Sequence, residues 1–251
     1  MIRKICLFLG LSLLYSGAFC QIPGFKVADL QDYQYKKVAS GGLRIQTNGI
    51  SLFAEYGWIK DIYKERLLQI EWTYYVNYSQ KRQSPQVPGG RDFIFGLQNH
   101  LNMLRISYGI KRTIVDKASH SGVRLSFIGF GGLSLALLKP YYLDLIDSIG
   151  NAQVIVPERY SAANASKFLS LYSINDAAPF RYGLNEIQVV PGIQGKAGLD
   201  FDFGAKDAFL AAIEAGVMLD LYYKDLPVMI NNSNHFYQAA LFLSVQFGKR
   251  W

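Results

Sequence analysis

The feature that most constrains this chain is the strict alternation of its last fifteen residues. Tyr237, Ala239, Leu241, Leu243, Val245 and Phe247 share one parity. Gln238, Ala240, Phe242, Ser244, Gln246 and Gly248 share the other, and the sequence ends on the aromatic Trp251. A period of two belongs to an extended strand with one apolar face. About 9–11 residues is also the length that a tilted strand needs to cross a bilayer.

The same alternation recurs seven times upstream. Leu43, Ile45 and Thr47 alternate with Arg44, Gln46 and Asn48, and Asn48-Gly49 is a strong short-range hairpin signal. The return strand sets Ile50, Leu52, Ala54, Tyr56 and Trp58 against Ser51, Phe53, Glu55 and Gly57. Further strands set Leu68–Val76 against Gln69, Glu71, Thr73 and Tyr75, and Leu104–Ile110 against Arg105, Ser107, Gly109 and Lys111. A fifth runs over about 122–138, a sixth over 193–203 and a seventh over 209–221. Bacterial outer-membrane barrels have an even strand number, short periplasmic turns and longer outer loops. The short connections 60–65 and 204–208 and the longer ones after strands three, five and seven follow that scheme. The expected fold is all-β: a transmembrane, antiparallel, up-and-down β-barrel of eight strands. The connection 139–191 is the longest, and its β-prone Gln153-Val154-Ile155-Val156 leaves ten strands as the alternative. That segment also holds the exposed-looking aromatics Tyr141, Tyr142, Tyr160, Phe168 and Tyr172 among charges such as Asp144, Asp147 and Arg159. Loops on a rigid barrel are where binding groups are displayed, so specificity is expected there.

Alternation alone does not say which face looks outward, because a soluble lipocalin-like barrel has its apolar face inside. The polar parity decides. It carries Gly109, Gly132, Ser134, Ala136, Ala212, Gly216, Ala240 and Ser244, small residues that suit a crowded lumen better than a solvated surface. Tyr56, Trp58, Trp72, Tyr74, Tyr108, Tyr237 and Trp251 lie on the apolar parity, as interfacial girdles do. A mean hydropathy of +0.09 agrees with lipid-facing strands.

The other end of the chain points to the same compartment. Arg3 and Lys4, the apolar stretch Ile5–Leu14 and the small residues before and at Cys20 have the layout of a secretory signal peptide, with cleavage expected after Cys20. A lipidated Cys20 is the competing reading, and Phe19 in the preceding slot speaks against it. Expected boundaries are a signal peptide over 1–20, a periplasmic segment over 21–40 and the barrel over 41–251. Cys6 and Cys20 are the only cysteines, so a mature protein beginning at Gln21 has no disulfide. Cleavage removes Arg3 and Lys4 and takes the formal charge from +7 to +5. The remaining excess shows no basic stripe interleaved with aromatics, so no nucleic-acid partner is expected.

From about residue 40 onward the chain resembles small bacterial outer-membrane barrels of the OmpA/OmpX type. Its final strand is similar to the C-terminal strands read by the barrel-assembly machinery, which makes Phe247 and Trp251 the expected assembly signal. Gly41-Gly42-Leu43, Gly132-Leu133-Ser134-Leu135, Leu138-Lys139-Pro140 and Phe247-Gly248-Lys249-Arg250 look similar to uncharacterised porin-like proteins of the Bacteroidota. The resemblance implies an outer-membrane location, with membrane lipids and the assembly machinery as partners and an unidentified extracellular ligand. It implies no catalytic residues.

The lumen parity holds Arg44, Arg105, Lys111, Arg124 and Lys196 against Glu55, Glu71, Asp200, Asp202, Glu214 and Asp220. An eight-stranded lumen is only wide enough for side chains to fill. The expected arrangement is a salt-bridged plug in which Arg105 and Arg124 find acidic partners such as Glu71, and Asp200 and Asp202 answer Lys196 and neighbouring arginines. The expected function is a non-enzymatic barrel with loop-mediated binding or an envelope-structural role. A small diffusion channel is the alternative. A lipid-modifying enzyme using Ser233 and His235 is the second alternative, for which no orienting carboxylate is spaced suitably. Neither a cofactor nor a metal is expected: His100, His120 and His235 have no ligand spacing, and the glycines no phosphate-loop spacing.

Overall fold

A computed structural model describes residues 35–61, 63–76, 80–85, 89–117, 122–149, 152–204, 208–230 and 234–251. The expected signal peptide and its cleavage site lie outside the described residues. The described residues form thirteen strands: β1 (Lys37–Gln46), β2 (Gly49–Asp61), β3 (Lys64–Tyr75), β4 (Arg82–Gln83), β5 (Phe93–Ile94), β6 (Asn99–Val115), β7 (Arg124–Pro140), β8 (Tyr142–Ile149), β9 (Ala152–Arg159), β10 (Ile174–Ala177), β11 (Gln188–Asp202), β12 (Phe209–Tyr222) and β13 (Tyr237–Arg250). Eight of them close an antiparallel barrel in the order β1-β13-β12-β11-β7-β6-β3-β2. Each wall strand pairs with its predecessor in the meander. The last meets the first through the register Val38↔Arg250 to Gln46↔Phe242.

Every wall strand obeys the period of two, and the distribution is inside-out relative to a soluble protein. Outward residues are apolar and bare: Ile45, Leu52, Leu133 and Leu241 are 61–65% exposed. Inward residues include Arg44 and Arg105 at 0%. Exposing a continuous apolar belt while burying arginine is unfavourable in water and favourable in hydrocarbon. Aromatics edge the belt at both ends. Tyr56, Trp58 and Trp251 cluster at the end where β1 begins and β13 ends, Tyr56 lying 5.0 and 6.3 Å from the other two rings, centroid to centroid. Trp72, Tyr74 and Tyr237 face outward toward the loop end. No described helix is long and apolar enough to cross a membrane.

The hairpin expected at Asn48-Gly49 is present one residue earlier: Thr47 and Asn48 form the two-residue turn, and Gly49 opens β2 opposite Gln46. Gly49 sits at φ +156°, and a Cβ there would lie 2.3 Å from the Tyr74 carbonyl oxygen. Any side chain at this position collides with β3, so glycine is required.

The long connection is folded and adds no wall strand. β8, β9 and β10 form a separate three-stranded sheet in the order β10-β8-β9, which resolves the eight-or-ten question at eight. The β-prone Val154–Val156 stretch lies in β9 and pairs with β8. One short helix, α1 (Ala165–Phe168), follows a turn capped by Ser161, whose Oγ accepts from the Asn164 backbone N–H at 3.3 Å. β4 and β5 pair as a two-residue ladder.

These loops seal the mouth. Phe93, Leu97, Tyr141, Leu143, Leu145, Phe168, Ile174, Leu226, Val228 and Met229 form one apolar core with Leu101, Met103, Ala136, Leu138, Val190 and Tyr222, which point inward at the loop end of the wall. Tyr141 and Phe168, expected to be exposed, are therefore core residues, whereas Tyr172 is 85% exposed as expected. Sequence alternation cannot separate a buried loop aromatic from an exposed one, because the loop's partner is distant in sequence. The seal is also pinned by its backbone. Gln98 N–H donates to the Val228 carbonyl at 2.9 Å, and Tyr141 N–H donates to the Gln98 carbonyl at 3.0 Å.

Candidate functional site

Below this seal the lumen is crossed by charged side chains. Alternation directs Arg44 of β1, Glu71 of β3, Arg105 of β6 and Glu214 and Asp220 of β12 to the inner face, and all five are buried. They form a single chain of ion pairs. The Asp220 carboxylate receives two bonds from Arg105, from Nε at 3.0 Å and Nη2 at 2.7 Å. Arg105 Nη1 reaches Glu71 Oε1 at 2.8 Å. Arg44 binds the other Glu71 oxygen through Nη1 and Glu214 Oε2 through Nη2, the latter at 2.9 Å. Two of the wall's strands lie between β6 and β12, so this chain spans the lumen and does not run along one face.

Further groups satisfy part of the network, while Arg44 Nε keeps no hydrogen-bond partner among the described residues. Thr73 Oγ1 lies 2.5 Å from Arg105 Nη1, and Ser244 Oγ donates to Glu214 Oε2 at 3.0 Å. Asp200 and Glu214 face each other across the β11–β12 ladder, two like charges in register. The Gln246 amide bridges them, donating to Asp200 Oδ2 at 2.9 Å and to Glu214 Oε1 at 3.1 Å. Lys111 Nζ approaches Asp200 Oδ1 to 2.5 Å. Aromatic rings complete the packing. The Arg44 guanidinium lies between Phe53 and Phe242, 4.2 and 4.8 Å from their centroids, a favourable placement for a cation. Gly109 makes room for Phe130, since a Cβ there would sit 2.3 Å from the ring.

All eleven charged residues named from the sequence are buried along the inner face, but their pairing differs from expectation in three places. Arg124 pairs with Asp116 at 2.8 Å, near the end where β1 begins and β13 ends, and not with Glu71. Asp200 and Asp202 do not pair with Lys196; an arginine, Arg250, does hold Asp202, at 2.7 Å. Lys196 instead donates to Gln69 Oε1 at 2.7 Å and lies 4.0 Å above the Phe130 ring. Glu55 is met by the Gln69 amide. The reason is shear: strands are staggered in a barrel, so the partner across the lumen is offset from the residue nearest in a flat count. Arg250 and Glu65 are further buried charges. Arg250 shares the inward parity of Ser244 and Gln246, so the alternation of the final strand already directs it into the lumen.

Phe247 and Trp251 face outward, 59% and 47% exposed. Among the described residues no three His, Cys, Asp or Glu side chains converge as a metal site. Ser233 of the Ser–His alternative lies outside the described residues, and His235 stacks near Tyr237 at 5.2 Å.

The chain is a membrane-spanning eight-stranded barrel. No protein-family model matches its sequence, and no curated protein sequence matches it. Similar solved structures include Neisserial surface protein A (NspA), with 11% identity, 86% of this chain and 97% of that one covered, and a TM-score of 0.41. A second is Ail, the attachment invasion locus protein of Yersinia pestis, in complex with the heparin analogue sucrose octasulfate, with 10% identity, 86% and 99% coverage and a TM-score of 0.42. A third is the N-terminal β-barrel domain of Pseudomonas aeruginosa OprF, with 10% identity, 86% and 98% coverage and a TM-score of 0.36. Likeness at these scores carries no argument about function, which must come from the chain's own geometry.

Proposed function

We propose that this is a non-enzymatic, non-conducting barrel of a bacterial outer membrane, whose wall supports a folded cap that presents the binding surface. The observation that carries this reading is the ion-pair chain Asp220–Arg105–Glu71–Arg44–Glu214, which crosses the lumen beneath an apolar seal. Charges paired this tightly are committed to one another and leave no continuous polar path for a solute. A buried pair opens only at the cost of leaving an uncompensated charge in a poorly solvated space. The test is electrical. Refolded protein in a planar bilayer is expected to show no steady channel. A large, steady conductance in the unmutated protein would replace the plug with a pore.

Delivery to that membrane belongs to the same reading, with a signal peptide cleaved after Cys20 and an exposed aromatic terminus recognised by the barrel-assembly machinery. Trp251 packs against Tyr56 at the rim and makes no buried contact with the lumen network. Trp251→Ala should therefore lower the outer-membrane yield in cells severalfold while hardly changing the urea midpoint of the refolded barrel. Equal yields of variant and parent would remove Trp251 as an assembly signal.

A further inference from the structure

A cavity of about 340 Å³ lies on the outer flank of the loop end, separate from the lumen. Its floor is the barrel wall. Tyr74, His100 and Lys139 sit on the outward parity of β3, β6 and β7, and His100 and Lys139 are register partners. Its roof is the segment 177–182, and Arg82 and Asp92 stand at its edge. The position follows from the strands. Directly below Tyr74 on the same face come Trp72, Ile70 and Leu68, all part of the bare apolar belt. The cavity thus opens at the height where hydrocarbon gives way to headgroups.

Lys139 is the informative residue. It is only 6% exposed, yet no carboxylate pairs with it among the described residues, and its Nζ rests 4.1 Å from the Phe180 ring centroid. Elsewhere in this protein the buried cations are paired or hydrogen-bonded: Arg44, Arg105 and Lys111 each hold a carboxylate, and Lys196 donates to Gln69. The stem is buried while the ammonium opens to the cavity with only an aromatic ring beside it, a charge that an anion entering the cavity would meet. Arg82 is exposed and adds a second cation, while Asp92 supplies the one opposing carboxylate. Tyrosines complete the lining, with the Tyr142 and Tyr182 rings 5.8 Å apart.

We propose that this cavity binds the phosphate of a lipid headgroup in the surrounding leaflet, with Lys139 as the central charge and Arg82 as the outer clamp. The proposal rests on the membrane-spanning reading, because that reading puts headgroups at this level. Phosphate is the anion found at this depth of a bilayer, and a basic pocket bounded by aromatics suits it.

Native mass spectrometry of the refolded protein in detergent tests this with three probes: a phosphorylated lipid, the same lipid without its phosphate, and inorganic phosphate. The phosphorylated lipid is expected to bind in preference to its dephosphorylated form. Lys139→Gln should weaken it about tenfold or more, and Arg82→Gln by less. Heat-modifiable migration should be kept in both variants, and Lys139→Gln should melt no lower than the parent, since no described carboxylate of the barrel pairs with the charge that it removes. Equal retention of the two lipids would overturn the proposal, as would unchanged binding in both variants. Inorganic phosphate binding as tightly as the lipid would make the site one for a soluble anion and overturn the lipid assignment. A parent protein that fails to insert into vesicles would overturn the membrane reading together with the site. Insertion without discrimination would sink the site alone.

Discussion

Glu71→Ala is expected to destabilise the barrel by about 3–5 kcal/mol, the usual loss when one member of a buried ion pair is removed. Glu71 is shared by Arg44 and Arg105 through its two oxygens, so a single deletion strands two guanidinium groups in the lumen. Asp220 still holds Arg105 in bidentate fashion, and Glu214 still holds Arg44, which keeps the effect below two full losses. Urea titration of the refolded protein would measure it. The same variant in a planar bilayer should show flickering ion leakage absent from the parent, because the middle link of the crossing chain is gone. If Glu71→Ala matches the parent in both measurements, the chain of pairs neither holds nor closes the barrel.

Replacing residues 143–185 by a short Gly/Ser turn should leave a closed barrel with an unsealed mouth. The wall's hydrogen-bond ladders do not pass through that segment, so heat-modifiable migration should survive. The trimmed protein loses Leu143, Leu145, Phe168 and Ile174 from the loop-end core. Each such side chain contributes about 1.5–3 kcal/mol when fully buried. Leu101, Met103, Leu138 and Val190 would be uncovered and should bind an environment-sensitive apolar dye. Capture of any protein or glycan partner from intact cells should be lost as well. A trimmed barrel that stays dye-silent would mean the seal is made by the other loops alone.

How legible was this molecule in its sequence? The wall was almost wholly so. Alternation fixes which side of a strand each residue faces, and a barrel has only two sides, so Arg44, Glu71 and Arg105 could be placed inward without coordinates. The Glu71–Arg105 contact was legible too, because those residues are direct cross-strand neighbours. Contacts across the lumen were not. Whether Lys111 meets Asp200 or Lys196 meets Gln69 depends on tilt and stagger, which no single strand encodes. The cap was least legible. Leu143 and Leu145 alternate with Asp144 and Tyr142, but the core that they join also draws on Phe93 and Leu226, far along the chain. For the same reason the cavity around Lys139 has no local signal: Leu138-Lys139-Pro140 read as one more strand end, and the burial comes from Phe180 folding back over it.

The seam between β1 and β13 bears on timing. Arg44 waits for Glu214, a carboxylate 170 residues further on, and its strand waits for the last one made. Contacts this distant close large loops and form slowly. Until the final strand docks, Arg44 and Glu214 have no shared interior in which to meet, and both stay hydrated in an open sheet. The core charges thus act as a completion check. They favour the finished cylinder strongly and a half-built one hardly at all, so a chain halted before its last strand remains an edge-exposed sheet that proteolysis can clear before it blocks the membrane.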